Sequence, residues 1–234
     1  MIEIAKKINT GERIVSHLCF ELIMLHSSWA HWEALNGRDA QAREGFRQGV
    51  RRLAHATTVE SLRSAILRDT VMTLFRMSDA PGENRKTLCR IALLLQDRKV
   101  QDHLIEEARK WNESMLDLSD YNANLCSAKI ASIASHVQPH WKENTPPPSP
   151  ELYNLRTALR PIRDRKLAHA VDISSPAELT LNQIRRMIDL TTELVYASQL
   201  IFAGAASSES ALPRRIREAN DFWDHASTGF LTHA

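Results

Sequence analysis

Between Arg156 and His169 the chain carries Arg156, Arg160, Arg163, Arg165 and Lys166 against a single acid, Asp164, and it ends on a histidine. These residue types suit phosphodiester chemistry. A histidine exchanges protons near neutral pH, and a guanidinium holds a phosphate through two parallel hydrogen bonds. Cutting RNA needs a base for the 2′-hydroxyl proton, an acid for the leaving 5′ oxygen and a fixed cation on the crowded phosphate. One histidine performs one of those proton transfers well, not both at once. A symmetric dimer that brings two copies together would make up the shortage. The same charges have a plainer reading, because basic side chains near a helix C-terminus are favourable through the macrodipole alone.

Helix geometry restricts which residues act together. At about 100° per residue, Arg163 and His169 lie roughly 240° apart and do not share one face of a straight helix. Arg165 and His169, four positions apart, do share a face. Either the helix ends or bends near His169, or the functional pairing crosses a dimer axis.

Other histidines offer less. His136 and His140 have a metal-friendly spacing of four, but Pro139 between them breaks a regular helical pair. No glutamate follows His136 as a zinc-protease helix would require, so no metal site is assigned. His26 and His31 beside Trp29 and Trp32 read as decoration of an amphipathic helix. The sequence shows no Gly-rich phosphate loop, Ser nucleophile elbow or paired-carboxylate motif, and no cofactor is expected.

The elements that must position the basic run are helices. Thr10 reads as a cap, with Ile14, Leu18, Leu22 and Leu25 recurring at helical spacing to about Leu35, where Asn36-Gly37 stops the helix. A basic connection with Arg38, Arg43, Arg47, Arg51 and Arg52 follows. A second helix starts near Thr58 and ends at Asp79-Ala80-Pro81-Gly82. Asn84 reads as the cap of a short third helix carrying Leu88, Ile91, Leu94 and Leu95. A fourth starts near Asp97 and reaches Met115 or beyond, and Ala123 to Val137 is helical again. The Thr145-Pro146-Pro147-Pro148-Ser149-Pro150 stretch is stiff and cannot join a helix interior. Ser149, Pro150 and Glu151 then start a helix that runs towards His169, and a last long helix covers about Thr180 to Phe202.

Composition agrees. Seven glycines in 234 residues and little apolar–polar alternation argue against a sheet protein. The expectation is an all-α helical bundle over residues 1–204, with most of its core from the helices at 58–78, 150–169 and 180–202. A short C-terminal appendage, 205–234, holds Arg214, Arg215, Arg217, Phe222 and Trp223. Cys19, Cys89 and Cys126 form no CxxC pair, so they read as buried thiols in a reducing cytoplasm rather than a disulfide or zinc framework. Met1 to Thr10 lacks a signal-peptide apolar region, and Leu194 to Ala206 is too short to span a bilayer. A cytoplasmic protein without membrane attachment is expected. A net charge of only +2 says nothing about nucleic acid; the local run does.

At Arg163-Asp164-Arg165-Lys166-Leu167-Ala168-His169, with Asp172 beyond, the sequence resembles the HEPN superfamily. That signature is an arginine, usually followed by a polar residue, then a histidine after four to six intervening positions. The string is most similar to the branch associated with phage abortive infection, and Phe75-Arg76-Met77-Ser78-Asp79 resembles a further segment of that branch. Long helices before and after fit the family's bundle over most of the chain. The resemblance implies a metal-independent endoribonuclease acting as a homodimer on RNA, often a toxin or antiviral effector, with an antitoxin protein as a further partner. It implies that Arg163 contacts the scissile phosphate, that His169 transfers protons or positions the 2′-hydroxyl, and that Asp164 organises the site. Arg160, Arg165 and Lys166 match no required position, and an RNA-binding role for them is an electrostatic inference. Some HEPN proteins are inactive scaffolds, so a non-catalytic helical module binding RNA or a partner protein stands as the alternative.

Overall fold

A computed structural model of the chain describes residues 2–36, 56–79, 82, 84–111, 118–137, 150–161 and 181–204, with positions 214, 217, 218, 221 and 222 beyond them. Among the described residues there are seven helices and no strand: α1 (Ile2–Asn36), α2 (Ala56–Ser78), α3 (Leu88–Leu94), α4 (Arg98–Ala108), α5 (Ser119–His136), α6 (Pro150–Pro161) and α7 (Leu181–Ala203). The protein is all-α, as its composition and apolar spacing predict. No helix among the described residues is long and apolar enough to cross a membrane.

The chain forms two compact units, one of Met1–Leu22 with Leu74–Ser207, the other of Ile23–Thr73 with Ser208–Ala234. The first is organised around α7, which touches α3, α4, α5 and α6. Its buried side chains include Ile184, Met187, Ile188, Leu190, Leu194, Val195, Ile201 and Phe202, too many for a single stripe. A helix apolar on most of its circumference belongs in the middle of a bundle, and α7 is there. Leu88, Ile91, Val100, Leu104, Cys126, Ile130 and Ile133 bury against the same interior from the shorter helices.

Several helix ends differ from the sequence expectation, each for a physical reason. Thr10 does not cap α1: its hydroxyl donates back to the Lys6 carbonyl at 2.8 Å, inside a helix already running from Ile2. The neighbouring Gly11 is a point of close approach rather than a break, because a Cβ there would collide with the Phe202 ring of α7. The cap of α3 is Thr87, whose side chain accepts from the Arg90 amide at 3.3 Å, and Asn84 lies in the preceding turn. Asp97 caps α4 as expected, accepting from the Lys99 amide at 2.9 Å, but the helix stops at Ala108, short of Met115. α5 begins at Ser119, four residues before Ala123, with Asn122 buried and donating to the Trp111 carbonyl at 2.7 Å. Gly204 ends α7 with φ +66, which only glycine adopts cheaply, and packs against Trp111.

The core also draws on a helix the sequence expectation left out of its principal contributors. In the first unit α1 buries Ile14, Val15, Leu18 and Leu22. In the second, Leu25, Trp29 and Leu35 of α1 are buried, as are Thr70, Val71 and Thr73 of α2. The stripe beginning at Ile14 therefore continues to Leu35, near the end of α1.

Candidate functional site

Arg163, Asp164, Arg165, Lys166 and His169 lie outside the described residues, and so does the dimer axis expected near them. Arg160 is described: it sits exposed in the last turn of α6, the helix that leads into the motif. What the structure does describe is how that helix is held.

α6 buries Leu155 and Leu159, and α7 is the helix it packs on. Its polar anchor is Arg156. This guanidinium donates from Nη1 to the backbone carbonyl of Ser78, the last residue of α2, and from Nη2 to Oδ1 of Asp79 at 3.0 Å. Its carbon also lies 6.0 Å from the centre of the Phe75 ring, at the outer limit for a cation–π contact. Each contact follows from where α2 ends. The last carbonyls of a helix have no intrahelical partner and carry the negative end of its dipole, so a cation there satisfies both demands.

Further bonds make the α2 terminus a fixed platform. Asp79 offers its second oxygen to Arg85 at 2.7 Å, so one carboxylate bridges two guanidiniums. The buried Ser78 hydroxyl donates to the Leu74 carbonyl at 2.7 Å, and the Cys89 thiol reaches the Ser78 carbonyl at 3.6 Å. One turn earlier Arg76 pairs with Glu21 of α1 at 3.0 Å, and His17 lies 3.7 Å from the same carboxylate. The Arg156 and Asp79 side chains are 18% and 33% exposed, so their pair is better shielded than the Arg109–Asp120 pair at 41% and 84%. Phe75-Arg76-Met77-Ser78-Asp79, quoted above only for its resemblance, is thus the seat of the helix that precedes the motif in the sequence.

Sequence reasoning counted Arg156 as one charge in a run and missed this role. A signal was present. Leu152, Leu155, Arg156 and Leu159 fall at i, i+3, i+4 and i+7, so Arg156 interrupts an apolar stripe. An arginine in such a stripe must find partners on the surface its helix packs against.

The remaining candidates behave as structural residues. His136 closes α5 with Nδ1 2.8 Å from the Ser132 carbonyl of its own helix, and His140 lies outside the described residues. Trp29 stacks on Trp32 with ring centres 5.0 Å apart, and His31 meets the Phe222 ring edge-on at 6.2 Å. Burial holds the His31 imidazole below its ordinary pKa. Cys89 and Cys126 are buried, whereas Cys19 is only half-buried.

Comparison with known proteins agrees with the family resemblance. A family model described as HEPN_AbiU2, AbiU2, matches residues 9–222. No curated protein matches, and no solved structure does.

Proposed function

The chain belongs to the AbiU2 family, a HEPN-type family associated with abortive infection, and from that premise we propose that it is a metal-independent endoribonuclease acting as a homodimer. The observation that carries the proposal is the extent of the match: residues 9–222 take in both the Arg163–His169 motif and the α2–α6 platform before it. In this reading Arg163 holds the scissile phosphate and His169 accepts the 2′-hydroxyl proton. The freed 2′ oxygen attacks phosphorus, the 5′ oxygen leaves, and the histidine of the second copy supplies its proton. The products are a 2′,3′-cyclic phosphate and a free 5′-hydroxyl. Asp164 orients the arginine and histidine, while Arg160, Arg165 and Lys166 gather the RNA backbone through long-range attraction. Cleavage of viral or host RNA would make the protein an effector in the cytoplasm, held in check by an antitoxin protein.

The test is cleavage of single-stranded RNA by the purified full chain in excess EDTA, with end-group analysis of the product. His169→Ala should lose about a hundredfold or more in rate while keeping the wild-type helical circular dichroism and nearly all RNA affinity. A folded His169→Ala protein that cuts as fast as wild type would show the catalytic assignment to be wrong. If neither protein cuts, a non-catalytic module binding RNA or a partner is the better reading.

A further inference from the structure

Arg163 follows the last residue of α6 by two positions in the sequence, so the way α6 is fixed along its own axis bears on the segment that comes next. We propose that Arg156, clasped between the Ser78 carbonyl and the Asp79 carboxylate, is a positioning residue that sets the axial register of α6, the helix that precedes the Arg163–His169 motif in the sequence. The consequence for catalysis rests on the ribonuclease reading above; the mechanical part does not.

The argument turns on what the other contacts of α6 leave undetermined. Leu155 and Leu159 are buried, but apolar burial is non-directional and tolerates sliding. A guanidinium fork divided between a carbonyl and a carboxylate does not slide, because its donors lie in one plane at fixed angles. The receiving side is equally fixed. Asp79 is tied from its other oxygen by Arg85, and the Ser78 carbonyl belongs to the end of a 23-residue helix. Slippage of α6 by one residue would move its C-terminal end at Pro161 about 1.5 Å. Misplacement of about 1 Å costs up to a hundredfold in rate where reacting groups must align. The clasp therefore lies where small geometric changes have large catalytic effects, yet Arg156 itself need touch no RNA.

The experiment compares the full-length wild type with Arg156→Ala, Arg156→Lys and Asp79→Asn, and with Arg109→Ala as a control ion-pair loss elsewhere in the same unit. Backbone hydrogen exchange is read without RNA at residues 160–172 and at α7; kcat and KM are then read on single-stranded RNA. In Arg156→Ala and Asp79→Asn, exchange at 160–172 should rise about tenfold or more, the scale of a lost charge-assisted hydrogen bond, with α7 unchanged. kcat should fall by a similar factor with KM nearly constant. Arg156→Lys keeps the charge but not the planar fork, and should recover only part of kcat. Arg109→Ala should match wild type in both readouts. Unchanged exchange at 160–172 would overturn the proposal, as would an equal rise throughout α7, which would make Arg156 a support of the whole fold. A raised KM at constant kcat, restored by lysine, would also overturn it, since Arg156 would then be an RNA contact. A wild-type protein that cuts no RNA defeats the ribonuclease reading, and the exchange data still decide the clasp.

Discussion

α7 and α6 pack on one another but are held by opposite kinds of force. α7 is buried on most of its circumference, and the four helices it touches bury mainly leucines and isoleucines, with Val100 and Cys126. α6 is 12 residues long, and its described anchors are two leucines and one arginine whose bonds go to a carbonyl and a carboxylate. Apolar burial scales with area and is indifferent to direction, whereas a charge-assisted hydrogen bond fixes direction and contributes less to total stability. The helix that carries the fold carries none of the motif, and the helix that leads into the motif is fixed mainly in direction. Stability and placement are thereby assigned to different residues.

The largest test of that division is Leu194→Ala. Leu194 is fully buried in α7, and such truncations cost about 2–5 kcal/mol. The denaturation midpoint should fall and exchange should rise throughout the first unit. Leu194→Ala exchanging faster only near α7 would show that the unit does not unfold around that helix.

Gly204→Ala comes next, because it strains the end of α7 without emptying its core. The residue sits at φ +66, and an added Cβ would come within 2.9 Å of the Trp111 indole nitrogen. Holding alanine in that conformation costs about 1–3 kcal/mol. The thermal midpoint should drop by less than in Leu194→Ala, with exchange at 160–172 untouched. A neutral result would mean that the α7 end relaxes freely.

The same contrast explains what was legible in the sequence. α7 was readable from Ile184 to Phe202 because burial leaves an apolar pattern that any window detects. Thr10 misled for the complementary reason: a hydroxyl ahead of an apolar stripe reads as a helix cap, while the use of the neighbouring Gly11, room for the Phe202 ring, depends on a residue far along the chain. Asn84 and Thr87 are three positions apart and both capping types, and only the direction of the backbone selects Thr87. The Arg163–His169 motif was found by residue type and spacing, and the family match covers it. Its geometry was not legible, since two residues about 240° apart on a helix face meet only through a bend or a second chain. Arg156 left a trace only as an interruption of an apolar stripe, and its partners at Ser78 and Asp79 lie in a segment read as a helix end and for its resemblance, neither of which says what it receives.

The smallest expected effect separates the two regions by using the thiols already in them. Cys126 of α5 and Cys89 of α3 are both buried, at 0% and 2% exposure, but in different surroundings. Cys126 is fully enclosed in the core, and burial pushes its pKa from 9.0 up to about 11. A raised thiol pKa favours the folded state below the ordinary value, and that contribution is lost as pH rises from 9.0 through about 11. Raising the labelling pH to 9.0, the ordinary thiol value, should therefore leave Cys126 unreactive in the folded protein. Cys89 instead points at the Ser78 carbonyl, the same acceptor that Arg156 engages. Under native conditions with a thiol reagent, Cys126 should react only through opening of the α5–α7 core, and Cys89 through the smaller opening at the α2 terminus. Arg156→Ala should then accelerate labelling at Cys89 and leave Cys126 at its wild-type rate. Mass spectrometry of the two peptides, quenched over a time course, measures both at once. Equal acceleration at the two thiols would show that Arg156 supports the core and the platform alike, and the distinction between the helix that holds the fold and the helix that leads into the motif would fail.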